Sequence, residues 1–318
     1  MSDNSKIEWT GATWNPIRAV TKHAAAGNQR WGYHCEHVSE GCRNCYAERM
    51  NGRMLPAWGT GLEYTRQNRE KVEIYLDEEA LMQPLRWKKG RKIFPCSMTD
   101  LFADFVPDEM IDRVFAVMAL TPQHTYQVLT KRAARMLRWA ESKHGHLAVE
   151  YQHFPAMSVS RLLPLPNVWM GVSVEDQRTA DERVPLLLRT PAALRWVSYE
   201  PALGPVDWDR CYQPHDESNG LCDHEEIGID WIVVGGESGP GARPFDVAWA
   251  RQTISQCQEA GVPVFVKQLG AKPWEEIIVP RDGHRWKRSL VLQNRKKGGD
   301  PSEWPENLRV RQYPEASR

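Results

Sequence analysis

Short apolar runs recur along the chain, each followed by polar or glycine-rich residues and then by a stretch of helical periodicity. The runs at Lys92–Pro95, Tyr126–Leu129, Val168–Val172, Arg195–Val197, Trp231–Val234 and Val264–Val266 are rich in Val, Ile and aromatics. They lack polar alternation, as strands buried on both faces do. A further early strand is expected around Ile7–Trp14. Amphipathic segments between the runs predict helices at Asp108–Leu120, Lys131–Ser142, Ala180–Leu188 and Val247–Ala260. The first follows Val106-Pro107 with an acidic first turn and the last stops at Gly261, where helices start and end by preference. Strand–helix alternation repeated this often predicts an α/β fold built on a parallel sheet with helical crossovers.

The residues after each strand sharpen that picture. They are Cys96-Ser97-Met98-Thr99-Asp100, Thr130-Lys131-Arg132, Ser173-Val174-Glu175-Asp176, Ser198-Tyr199-Glu200-Pro201, Gly235-Gly236-Glu237-Ser238-Gly239 and Lys267-Gln268. Each strand end carries a hydroxyl, a carboxylate or a lysine. Parallel barrels gather the carboxyl ends of their strands at one mouth, whereas a doubly wound sheet concentrates its polar motif at one switch point. The even spread predicts a partial or complete parallel (β/α) barrel. The bland alternative is that polar residues simply begin loops.

Composition adds boundaries. The chain has 318 residues, 41% hydrophobic and 26% charged, the make-up of a folded protein, and 41 basic residues balance 41 acidic ones. No global field therefore points at nucleic acid or membrane, although a local basic patch is still open. No window approaches the length of about 18 apolar residues that a membrane span needs, and MSDNSKIEWTGATWNP lacks a signal-peptide core, so a cytoplasmic protein is expected. Seven cysteines, an odd number, point to thiols or metal ligands rather than a disulfide frame. Three fall together, Cys35, Cys42 and Cys45, in HCEHVSEGCRNCYAERM. A C-x2-C pair with a third thiol seven residues upstream suits an iron–sulfur cluster with one open iron. His34 and His37 keep a Cys3His zinc site open as well, and unmetallated thiols are the third reading. Cys96, Cys211, Cys222 and Cys257 have weaker cases; Cys211 and Cys222 with His215 and His224 read as a second zinc site or as loop residues. The 14 Trp suit a ligand-lined cavity as well as a core.

A cysteine triad after the first strand, followed by strands ending in polar groups, resembles the radical S-adenosylmethionine (SAM) superfamily. The usual C-x3-C-x2-C is replaced here by C-x6-C-x2-C, with Tyr46 directly after the last cysteine. More specifically, the chain resembles a phage-associated radical SAM family, a domain of unknown function linked to thymidine hypermodification of viral DNA. The segments that carry the resemblance are WNP at Trp14–Pro16, GCRNCYA at Gly41–Ala47, SMTDLF at Ser97–Phe102 and LTKR at Leu129–Arg132. They continue with GVSVEDQ at Gly171–Gln177, SYEPALGP at Ser198–Pro205, VVGGESGPGARP at Val233–Pro244, VKQLG at Val266–Gly270 and GGDPSEWPENLRVRQYP at Gly298–Pro314, so essentially the whole chain is covered.

The resemblance implies a barrel of radical SAM type in which Cys35, Cys42 and Cys45 hold three irons of a [4Fe-4S] cluster. The open iron would chelate the amino and carboxylate groups of S-adenosyl-L-methionine, and reduction would yield a radical that abstracts a substrate hydrogen. Superfamily enzymes typically carry Gly-Gly-Glu after the second strand; here the only such motif, Gly235–Glu237, follows a late strand. Ser97 and Asp100 occupy the second-strand position and are candidates for the methionine amino group, with Ser173, Glu175, Gly235, Gly236 and Lys267 as further cofactor-binding candidates. Glycines there let backbone approach a ligand closely. Glu237, Lys131 and Glu200 are the catalytic candidates.

Basic residues gather in Arg281–Lys297 with Trp286 interleaved, and Arg49, Arg53 and Arg66 lie near the cysteine loop; cation plus aromatic is what phosphate and base contacts need. A solvated cover is the plain alternative. The expected organisation is a barrel over residues 1–280, an irregular acidic insertion near 205–228, and a basic C-terminal extension over 281–318 packed on the barrel. The implied reaction is isomerisation of an amino-acid-modified thymidine from nitrogen-linked to carbon-linked glycine, with DNA-lesion repair or methyl transfer as alternatives within the class. A zinc-stabilised nucleic-acid-binding protein is the reading from a different class. Expected partners are DNA or a modified nucleotide and an electron donor such as flavodoxin or ferredoxin, with no membrane; in a virus the setting is the host cytoplasm.

Overall fold

The computed structural model describes residues 5–22, 28–53, 59–143, 145–149, 158–209, 228–278, 284–294 and 296–315. The chain divides into two compact units, Met1–Gly171 with Arg189–Leu194, and Val172–Leu188 with Arg195–Arg318.

Unit 1 begins with β1 (Ala12–Trp14) and a small antiparallel sheet ordered β3 (Trp31–Gly32), β2 (Ile17–Thr21), β4 (Val72–Leu76). Helix α1 (Tyr46–Gly52) follows the cysteine loop, and the short α2 (Glu78–Leu81) precedes β5 (Lys92–Pro95). Then come α3 (Asp108–Leu120), β6 (Thr125–Thr130), α4 (Ala133–Ser142), and a hairpin of β7 (His146–Val149) and β8 (Val159–Leu162). β1 and β5 pair in parallel, as do β5 and β6. Two acids, Asp108 and Glu109, complement the positive end of α3, and Ile111, Val114, Phe115 and Met118 are buried. Phe115 packs on Trp139 of α4 with ring centroids 4.3 Å apart, and Asp112 accepts from the Trp139 indole at 2.8 Å and from Lys143 at 2.7 Å.

β9 (Val168–Val174) is buried at all seven positions, and the division between units falls within it. Unit 2 continues with α5 (Gln177–Arg189), β10 (Leu194–Tyr199), β11 (Trp231–Gly235), β12 (Phe245–Asp246), α6 (Val247–Glu259), β13 (Val264–Gln268), β14 (Pro273–Ile278) and β15 (Arg285–Ser289). β10–β11 and β11–β13 are parallel pairs. The large sheet has seven strands in the order β1-β5-β6-β9-β10-β11-β13, the parallel α/β arrangement that strand–helix alternation predicts. β1 and β13 stand at its two ends rather than pairing with each other, so the strand order is not that of a complete barrel.

The segment expected as a basic extension is woven into unit 2. β15 pairs antiparallel with β14, and residues 310–312 lie along β13, with Val266 N donating to Val310 O at 2.8 Å and Gln312 N to Val264 O at 2.9 Å. Trp304 and Leu308 are buried with it. Most of the expected insertion, and with it Cys211, Cys222, His215 and His224, lies outside the described residues. Among the described residues no helix is long and apolar enough to cross a membrane.

Candidate functional site

The cysteine loop of unit 1 is built from tight turns. Cys42 N donates to Ser39 O and Cys45 N to Cys42 O, which brings the last two thiols round before α1 begins. Cys35, Cys42 and Cys45 are free thiols, each partly buried. Cys35 and Cys45 pack against one apolar group, Tyr33, Ala47, Tyr64 and Met98. Burial pushes the Cys35 thiol well above the ordinary range and raises that of Cys45, and the neighbouring cysteines add to both, so thiolates here need a compensating positive centre. Among the described residues no three His, Cys, Asp or Glu side chains form the ligand set of a single metal ion. His37 is engaged with Glu48 at 3.0 Å, and His34 packs edge-on against Tyr64, which does not favour the Cys3His zinc arrangement.

A group in which each thiolate holds its own iron makes a different demand, and the donor set fits it: three reduced, partly buried thiols on one loop, two of them packed against Tyr33 and Tyr64. His34 Nε2 is buried beside them without a partner, and burial, helped by Arg69 and Arg132, lowers the ring to about 4, so it is neutral at neutral pH.

Three hydrogen bonds lash this loop to the carboxyl end of β5. Tyr46 donates to Ser97 O at 2.7 Å, Tyr64 to Met98 O at 2.8 Å, and Thr99 Oγ1 to His34 O at 2.5 Å. Asn15, just after β1, fixes the same turn by accepting from Met98 N at 3.0 Å and bonding Ser97 Oγ at 3.2 Å. Cys96 opens the turn with φ of +54°, a left-handed conformation that side-chain-bearing residues adopt rarely. Asp100, buried, accepts from Phe102 N and Thr130 Oγ1 through one oxygen and from Lys131 N through the other. Arg132 lies 3.7 Å from both Asp100 and Glu36. Ser97 and Asp100 thus stand beside the cysteines as the sequence suggests, but Asp100 is a brace that joins two strand ends. Lys131 contributes its backbone to that brace.

Unit 2 gathers a second set. Both oxygens of Glu200 accept from Lys267 Nζ at 2.7 Å, and Gln268 Nε2 bridges Glu200 at 3.0 Å and Gly236 O at 3.0 Å. Glu200 and Lys267 therefore meet, and the amide oxygen of Gln268 is buried without a partner. Ser173 Oγ donates to Glu200 O at 3.3 Å. Gly236 owes its size to packing: a Cβ there would lie 2.5 Å from Leu269 O and 2.9 Å from Phe245 Cβ. Gly235 likewise faces Gln268 and Glu200, so the chain's own atoms occupy the space beside both glycines.

Glu237 and Glu175 are held elsewhere. Arg243 binds Glu237 through its backbone N at 2.8 Å, Nε at 3.0 Å and a terminal nitrogen at 2.6 Å. Arg183 lies 3.2 Å from Glu175 with both side chains buried, and donates to Ser173 O at 2.7 Å. The sequence displays these acids but not their partners; an arginine six or eight residues downstream is the only trace. Because Arg243 occupies both oxygens, Glu237→Gln should lower unit 2 stability by about 1–2 kcal/mol. The melting temperature checks this, and an unchanged value would mean that the ion pair with Arg243 adds nothing to stability.

The basic strand is also engaged. Arg288 Nε meets Glu275 at 3.0 Å, Arg251 meets the same carboxylate at 2.9 Å, and Arg285 reaches Glu276 at 3.3 Å. The hydrogen bond from Arg288, assisted by Arg251, holds Glu275 below the usual carboxylate range. Arg295 lies outside the described residues.

No curated protein and no solved structure matches the chain. The family model described as "Protein of unknown function (DUF5131)" matches residues 4–300. With nearly its whole length inside that match, from before β1 to beyond β15, the chain belongs to the DUF5131 family.

Proposed function

We propose that this protein is a radical SAM enzyme that acts on a nucleic-acid base, isomerising an amino-acid-modified thymidine from nitrogen-linked to carbon-linked glycine during hypermodification of phage DNA. The observation that carries the reading is the lashing of a loop with three reduced cysteines to the carboxyl end of a parallel strand. Catalytic groups in parallel α/β folds collect at that end. Cys35, Cys42 and Cys45 would hold a [4Fe-4S] cluster, which when bound supplies the electron that starts radical chemistry from S-adenosyl-L-methionine.

The chain's own work is positioning and exclusion. Tyr33 and Tyr64 pack against Cys35 and Cys45 and keep water from that side of them, and the Asn15 and Asp100 braces fix the turn beside them. Ser97 and Lys131 are the residues of unit 1 proposed to face the cofactor. In unit 2, Lys267, held by Glu200, and the unpartnered Gln268 oxygen offer a cation and an acceptor to a polar substrate. A ferredoxin or flavodoxin would deliver the electron, and the setting would be the cytoplasm.

The experiment is mass spectrometry of nucleosides from modified phage DNA incubated anaerobically with enzyme, SAM and a reductant. An isobaric thymidine derivative resistant to hydrolysis at the amine linkage is expected. Unchanged nucleosides despite SAM cleavage would overturn the isomerase; no SAM cleavage by an iron-loaded enzyme would overturn the class.

A further inference from the structure

Unit 2 carries a groove of ≈ 530 Å³ on one face of the β14–β15 hairpin. Pro244, Leu290 and Leu292 form its apolar wall, and Lys272, Trp274 and Lys287 bring its aromatic and cationic groups. Register explains which side chains share this face. Trp274 pairs with Ser289 and Glu276 with Lys287, and alternation puts these four on one side of the hairpin, with Arg288, Trp286 and Glu275 on the other. Trp286, the aromatic conspicuous in the basic segment, is therefore turned away from the groove.

The chemistry of the face is specific. Lys287 Nζ sits 4.2 Å from the centre of the Trp274 ring, so the ring already receives a cation on one side. Lys272 is exposed beside it. Glu276, the carboxylate on this face among the described residues, is answered by Arg285 at 3.3 Å, which leaves the two lysines as the net charge of the described face. A flat ring, two lysines and an apolar wall complement a ligand that is planar at one end and anionic at the other. A groove of this volume is within the range of small-molecule sites.

We propose that this groove binds one nucleotide unit of single-stranded DNA, its base stacked on Trp274 and its phosphate on Lys287 and Lys272. Lys287 leaves the ring as the base arrives and keeps its charge near the phosphate. Stacking tolerates any base, and the lysines track the backbone rather than read sequence. The choice of DNA as the polymer rests on the reading given above; the groove's affinity for a nucleotide does not.

The test is fluorescence anisotropy of a labelled thymidine oligonucleotide against the full-length protein, with no SAM or reductant present. Trp274→Ala should weaken binding on the order of tenfold, the loss of one stacked base. Trp274→Phe should bind as the parent does, which separates stacking from damage to the hairpin. Lys272→Ala with Lys287→Ala should flatten the slope of log affinity against log salt by about 0.7, the one phosphate the two lysines share on a single strand. Parent-like binding by Trp274→Ala, or equal loss in the Ala and Phe variants, overturns the stacking site. Thymidine monophosphate binding as tightly as the oligonucleotide overturns the polymer, and tighter binding of the matching RNA overturns DNA. Failure of SAM cleavage leaves all of these results standing, because the readout needs no cofactor.

Discussion

Alanine at any one of Cys35, Cys42 or Cys45 is expected to remove nearly all bound iron after anaerobic reconstitution and to abolish SAM cleavage. Each thiol would hold a separate iron, so none can substitute for another. The loop itself should survive, since its turns are closed by the backbone bonds Cys42 N to Ser39 O and Cys45 N to Cys42 O, not by the thiols. Cys257→Ala supplies the contrast: that thiol is buried against the body of unit 2, and its loss should cost packing but no iron. Iron per chain and the broad absorption of iron–thiolate charge transfer decide the matter. A triad variant that retains its full iron would refute the assignment, and stoichiometric zinc in its place would return the chain to the binding-protein class.

The largest effect on stability should come from Arg183→Met. The guanidinium and Glu175 are both buried, and Arg183 also satisfies Ser173 O at 2.7 Å. Removing one member of such a pair leaves a charge in a dry site and typically costs about 3–5 kcal/mol. The double variant Arg183→Met/Glu175→Leu should recover much of that loss, because apolar groups of similar volume replace the pair without stranding a charge. Urea midpoints of the unit 2 transition report both. An unchanged midpoint in the single variant would mean that water or another group already serves Glu175.

Helices and central strands were legible because burial on known faces leaves a periodic trace. β5 and α3 have the predicted boundaries, Lys92–Pro95 and Asp108–Leu120, since each presents a continuous apolar pattern between clear stops. β15 was not legible as a strand: Arg285–Ser289 is exposed at all five positions, and only pairing with β14 makes it one. The two-residue β3 is too short to show any alternation. The site divides in the same way. Cysteines, Ser97, Glu200 and Lys267 announce themselves by type and by position after strands. Whether a carboxylate is offered to a ligand or consumed by the chain depends on partners such as Arg243 and Thr130, which only the folded backbone brings near.

The placement of residues 310–312 along β13 bears on the order of events during synthesis. β13 ends at Gln268, yet the backbone that covers it, and the ring of Tyr313 that stacks on Trp231 at 5.5 Å, are made more than forty residues later. Until the ribosome has passed that point, β13 presents a bare edge and Phe265 an uncovered ring. Domains generally fold as units during synthesis, amino-terminal ones first. Unit 2 must therefore hold a sticky, unfinished edge while some two score residues emerge, at a pace of about 5–20 residues each second. A clamp made so long after its strand protects the mature sheet, and makes the nascent one dependent on speed.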